Sequence, residues 1–278
     1  MTSYALPPEQ FAKLQKELPG EVFTTRTLAT YSYELNNKKA PFDNVNVRKA
    51  LNLSLDRNVI TDKVLGQGQT PTYVFTPTYI EEGHLIQQPA YSKEPMAQRN
   101  EEAIKLLEEA GYSKANPLKF SILYNTNENH KKVAIAAASM WKANTKGLID
   151  VKLENQEWKT YIDSRRAGRY DAARAGWNAD YNQATTFGNY FLSNSSNNTA
   201  KYANPEYDKA IAESYVATDA EGRAKAYAKA EEILAKDFGI VPIFNYVNPR
   251  LVKPYVKGYS GKDPQDHIYL RNLYIIKH

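Results

Sequence analysis

Residues 117–177, PLKFSILYNTNENHKKVAIAAASMWKANTKGLIDVKLENQEWKTYIDSRRAGRYDAARAGW, decide how the chain folds. PLKFSILYN (117–125) is a short apolar run bounded by Pro and Asn, the pattern of a strand. HKKVAIAAASMWKAN (130–144) then reads as a helix, and IDVKLEN (149–155) alternates with the period of a strand. EWKTYIDSRRAG (157–168) is a second helix and YDAARAGW (170–177) a third strand. Strands separated by helices of this length predict an α/β fold with a largely parallel sheet flanked by helices. In such sheets ligands sit outside the carboxyl ends of the strands. LYNTNENH (123–130) and GWNADYN (176–182) fall at those ends and form the first candidate site.

Working outward, Phe11, Leu14 and Leu18 predict a short helix over 8–18, and residues 21–37 are extended, a strand running between two bodies. Residues 43–65 carry a helix capped by Asp43 or Asn44 and stopped at Gly66, with Asp56–Arg57 a place where it could break in two. Residues 70–95 hold Pro71, Pro77, Pro89 and Pro95 and no period, a long ordered loop. A surface helix ends at Gly111. Two helices over 204–237 meet at Thr218 and Glu221, spaced as a capping box. LRNLYIIKH (270–278) is a strand candidate from a different body.

With 278 residues, 42% of them hydrophobic, the chain can bury a substantial core in one large domain or two modest ones. The net charge of +5 is spread among interspersed acids, and no basic stripe or motif points to nucleic acid. The absence of cysteine excludes disulfides, thiolate nucleophiles and cysteine-ligated metals. His84, His130, His267 and His278 show no metal-ligand spacing, and no GxSxG, dinucleotide or Walker A motif occurs. No catalytic residue, metal or cofactor is therefore expected. The first residues show no basic or apolar leader, and no stretch of about 20 apolar residues could span a membrane. Tyrosine is abundant, 21 against 9 phenylalanines, which suits a wet cleft as well as ordinary strand edges.

What remains for chemistry is polar residues at strand ends. Asp180 could accept charged hydrogen bonds from an amine or simply cap the next turn. Arg174, inside a strand, needs an anion, either an internal Glu or a ligand carboxylate. His130 begins a helix and faces either a cleft or solvent.

NNKKAPFDNVNVRKALNLSLDRNVI (36–60) resembles the signature of the extracytoplasmic peptide-binding proteins that feed ABC permeases, the extracellular solute-binding proteins of family 5. LYNTNENHKKVAIAAASMWK (123–142), ARAGWNADYN (173–182), LSNSSNNT (192–199) and NPRLVKPYVKGY (248–259) extend the resemblance to oligopeptide and murein-tripeptide binders. It implies a periplasmic-binding-protein-like lobe, type II, cluster C, with partial segments of the other lobe: an incomplete two-lobed protein. Residues 1–28 would be a remnant of the first lobe, 29–247 the second large lobe, and 248–278 a return to the first. The implied function is non-enzymatic peptide binding for ABC-transporter uptake. An enzyme and a non-functional truncated product are the other classes.

Carried over by position, the resemblance gives Asp180 the peptide's α-ammonium, and Arg174 and His130 its C-terminal carboxylate. It makes Ala175, Gly176 and Trp177, with Ser32 to Glu34, walls that bond an extended peptide main chain. Asn178, Arg165, Trp158 and Ile162 would line the site. The implied partners are an oligopeptide or murein tripeptide, the membrane subunits of an ABC permease and an N-terminal lobe outside this chain. The protein would be a monomer and would bind no nucleic acid. The intact relative would be periplasmic, whereas this chain, without a leader, would stay cytoplasmic if made as given. The family's oligopeptide binders carry a cysteine pair where Ala29 and Asn178 stand, and a lysine where Leu65 stands. These departures lean slightly toward murein tripeptide.

Overall fold

The computed structural model describes Met1 and residues 6–277. Helix α1 (Pro8–Glu17) has proline at its first position, where no N–H is needed, and leads into the long strand β1 (Val22–Leu35). Helix α2 (Val45–Leu53) is capped by Asn44, whose side chain accepts from the Asn46 N–H. The helix expected over 43–65 does break. Asp56 accepts from the N–H groups of Asn58 and Val59 and restarts the chain as a π-helical stretch, Val59–Leu65. Gly66, left-handed at φ 64°, ends it.

Strand β2 (Thr70–Pro71) and the long loop precede α3 (Met96–Glu109). The βαβαβ unit then runs β3 (Leu118–Asn125), α4 (Glu128–Asn144), β4 (Ile149–Gln156), α5 (Trp158–Arg166) and β5 (Ala172–Asn178). Helices α6 (Thr185–Gly188), α7 (Pro205–Val216) and α8 (Ala220–Lys236) follow. The cap of α8 is Asp219, whose side chain accepts from the Gly222 N–H at 2.6 Å, not Thr218 as the capping-box spacing suggests. Strand β6 (Ile240–Leu251) and a hairpin of β7 (Val256–Lys257) and β8 (Tyr274–Ile275) close the chain. The terminal strand is thus two residues long, and His278 lies outside the described residues.

The six-stranded sheet has the order β2-β6-β1-β5-β3-β4, and it corrects the expectation of a largely parallel sheet. Only β3–β4 and β3–β5 are parallel, while β1–β5, β1–β6 and β2–β6 are antiparallel. The βαβαβ unit supplies half of the sheet. β1 inserts beside β5, and β6 pairs along it from more than 200 residues away. Pro242 interrupts the β6 pattern, and it sits opposite Ser32 at a register shift, where a missing N–H is tolerated.

Side-chain alternation sorts the sheet into two faces. Tyr31, Tyr33 and Leu35 of β1, Ile122 of β3 and Ala172 of β5 join the larger apolar cluster under α2, α3 and α4. Leu123 and Ala173 face the other way, with Tyr161 and Tyr170, on the side covered by α5 and the α6–α8 group. Trp141 is fully buried in the first cluster and its indole N–H donates to the Leu51 carbonyl at 2.9 Å. Arg57, also fully buried, donates to the carbonyls of Thr72 and Pro242 and lies over the Tyr73 ring at 4.1 Å. A buried guanidinium satisfied by carbonyls ties the long loop to β6. Among the described residues no helix is long and apolar enough to cross a membrane.

Candidate functional site

β3 stops short of its neighbour, and that opens the site. β1 pairs with β5 over all of Ala172 to Asn178, but β3 meets β5 only at Ala172 and Ala173. From Arg174 onward the β3-facing edge of β5 has no strand partner among the described residues. The Arg174 carbonyl points to that edge, because it accepts a hydrogen bond from the Tyr161 hydroxyl on α5. Backbone groups alternate sides along an antiparallel ladder, so Gly176 and Asn178 present theirs to the same open edge. Ala175 and Trp177 turn theirs to β1. A cavity of about 700 Å³ lies against the strand, lined by Arg174, Gly176 and Asn178, with Asp180 just beyond and Trp158 at the start of α5.

Gly176 has a steric reason to be glycine. A Cβ there would come within 3.0 Å of the Arg174 guanidinium and 3.2 Å of the Tyr246 hydroxyl. Arg174 donates to that hydroxyl and lies over the Tyr31 ring at 5.2 Å. No carboxylate of the described residues pairs with it. Burial opposes its charge, and the phenols of Tyr246, Tyr31 and Tyr161 more than offset this, so its pKa is raised. Of the two partners the sequence left open for Arg174, the internal Glu is not there.

His130 lies in an adjoining hollow of about 210 Å³, lined also by Tyr31, Leu65 and Tyr246. Its ring centroid is 5.5 Å from that of Tyr31. Burial, and then the nearby Arg174 charge, push its pKa down to about 3, so the imidazole is neutral at physiological pH. Tyr246 borders both hollows and joins them around Arg174.

Of the other expected site residues, Trp158 lines the cavity and the rest lie elsewhere. Glu34 is fully buried and accepts from Arg165 at 2.9 Å, from the Tyr190 hydroxyl at 2.6 Å and from Thr199. Burial opposes the Arg165 charge, but Glu34 together with the phenols of Tyr190 and Tyr161 more than offsets this and raises the pKa. These two residues satisfy each other beneath the sheet instead of lining the cavity. Ser32 and Ala175 are buried opposite one another on the same face. Trp177 packs edge-on against Tyr190 at 4.9 Å, and Ile162 packs on the Tyr161 cluster. Trp158 is half exposed and stacks on Tyr161 at 5.8 Å. Ala29 stands directly opposite Asn178 across β1 and β5, so the two positions assigned a cysteine pair by resemblance are indeed neighbours.

Tyr246, Asn248 and the segment Gln265 to His267 also line the cavity and were not singled out from sequence. The excess of tyrosine was the signal for the first. The segment comes from an irregular stretch with no period. Among the described residues no group of three or more His, Asp or Glu side chains could hold a metal ion.

An open strand edge over a polar cavity, on a mixed α/β sheet, is the architecture of a binding protein, and the chain belongs to the bacterial extracellular solute-binding proteins, family 5, whose middle-region model matches residues 2–199. It is 96% identical over 278 residues to the periplasmic oligopeptide-binding protein OppA of Haemophilus influenzae, covering all of this chain and 51% of that protein. The crystal structure of that OppA in complex with RPPGFSPFR matches with a TM-score of 0.93 at 95% identity, over 99% of this chain and 54% of that one. The periplasmic murein peptide-binding protein MppA of Escherichia coli is 43% identical over 274 residues, 99% of this chain and 50% of that protein. The chain spans about half the length of the curated relatives it matches. These relatives are periplasmic proteins.

Proposed function

We propose that this chain forms one wall of a two-lobed periplasmic protein that encloses a peptide and hands it to the membrane subunits of an ABC permease. The observation that carries the reading is the open edge of β5 between Arg174 and Asp180. An extended peptide added there bonds by its main chain to Gly176 and Asn178, which reads what all peptides share and leaves their side chains in the cavity. Asp180 receives the α-ammonium. Arg174, paired with no acid among the described residues and flanked by neutral His130, receives the carboxylate. Residues 29–247 make up the lobe that holds this wall, while 1–28 and 248–278 belong to the other lobe. The likeness to an oligopeptide-binding protein supports oligopeptides as ligands ahead of murein tripeptide.

The test is calorimetric titration of the two-lobed protein carrying this chain with a tripeptide and its C-terminal amide. The free acid should bind more tightly, and Arg174→Met should remove the difference. No binding of either form overturns the function, and equal binding of the two removes Arg174 from the carboxylate end.

A further inference from the structure

We propose that Thr186 positions the Asp180 carboxylate, using one hydroxyl shared by three groups to fix Oδ2 and leave Oδ1 wholly open to an ammonium ligand. The inference rests on the reading of Asp180 just given. Thr186 lies in α6, six residues beyond Asp180, and is buried. Its Oγ1 accepts from the Asp180 N–H at 3.2 Å and from the Trp177 indole N–H at 3.2 Å. It donates to Asp180 Oδ2, also at 3.2 Å. A hydroxyl has one proton and two acceptor lone pairs, so all of its capacity is committed.

The consequence is a division of labour within one carboxylate. Oδ2 is held by Thr186, and Oδ1 receives no hydrogen bond among the described residues. The surroundings keep this geometry in place. Just before Asp180, the Ala179 N–H donates to the Leu28 carbonyl at 2.8 Å, and the Ala179 carbonyl accepts from Gln265 at 3.3 Å. Just before α6, the Ala184 N–H donates to the Glu81 carbonyl at 3.0 Å. The hydroxyl therefore links two fixed segments, the end of β5 and the start of α6, with Asp180 between them. Asp180 is exposed, and an exposed aspartate on a loop with no such ties samples several rotamers. One that is tied at its own N–H and at one oxygen is organised before the ligand arrives.

The experiment uses the two-lobed protein carrying this chain, with trialanine and N-acetyl-trialanine as probes. Thr186→Val keeps the shape and removes all three hydrogen bonds. It should lower the preference for the free amino terminus about tenfold, the scale of a hydrogen bond to a charged group, while the acetylated peptide binds as before. Thr186→Ser should restore the preference. If Thr186→Val does not fold, Thr186→Ala gives the same readout without a crowded methyl. An equal loss for both peptides, or an unchanged preference, overturns the role. Asp180→Asn separates the causes. If it abolishes the preference and Thr186→Val does not, only the positioning role falls; if it leaves the preference intact, the ammonium reading falls and Thr186 with it.

Discussion

Arg165 is where family resemblance and geometry give different answers, so Arg165→Met is the most informative single change. The resemblance places this arginine at the pocket wall. The geometry has it neutralising Glu34, which is fully buried and keeps only the Tyr190 and Thr199 hydroxyls once the guanidinium is gone. Breaking one side of a buried ion pair costs about 3–5 kcal/mol, because the remaining charge is left uncompensated. For a chain of this size each kcal/mol moves the melting temperature by about 2–4 °C, so the variant should melt roughly 6–20 °C lower. Arg165→Met combined with Glu34→Gln should recover much of that loss, since the residue left behind is then a neutral amide with two hydroxyl partners. Thermal unfolding followed by circular dichroism reads both variants on this chain, with no ligand needed. A melting point within about 2 °C of the parent, together with weakened peptide binding in the two-lobed protein, would refute the scaffold role and return Arg165 to the pocket.

Three further outcomes are expected. Gly176→Ala should weaken peptide binding by tenfold or more, because its methyl meets the Arg174 guanidinium at 3.0 Å and the Tyr246 hydroxyl at 3.2 Å, while the melting point changes by only a few degrees; unchanged titration would show that the pair yields freely. His130 has a folded pKa pushed down to about 3, below its unfolded value. The unfolded state thus binds the extra proton first, and the stability present above about pH 6.5 is lost as pH falls toward 3, at up to about 1.4 kcal/mol per pH unit. His130→Gln should flatten the urea-unfolding stability curve by that one-proton slope, and superimposable slopes would count against burial of the imidazole. Tyr246→Phe removes the Arg174 partner without opening a cavity, and should reduce discrimination between a C-terminal acid and its amide. Competition fluorescence with the two peptides checks it, and an unaltered ratio would make the phenol a bystander.

The parts of the fold that sequence disclosed are those whose hydrogen bonds are settled locally. The βαβαβ unit from β3 to β5 is legible because each strand and helix carries its own period, and the breaks at Asp56 and Gly66 because capping chemistry lies within a few residues. β1 and β6 were not placed, since an antiparallel partner across more than 200 residues leaves no local mark, and Pro242 hides the strand it belongs to. The site divides in the same way. Arg174 was legible from the strand pattern as a charge in need of a partner, whereas Gly176 and Asn178 entered through the resemblance, and all three line the cavity. Thr186 could not be found, because its role depends on α6 folding back onto the end of β5. Glu34 and Arg165 look alike in sequence whether they face a cavity or each other, and only the faces of the sheet tell which.

The seam between β1 and β5 has one more consequence. Ala29 and Asn178 face each other at the two positions to which the resemblance assigns a cysteine pair, and the chain contains no thiol at all. Its longest-range strand pairings are therefore held by hydrogen bonds and packing alone. The wall can assemble without an oxidant, and neither a reducing nor an oxidising environment makes or breaks a disulfide in it.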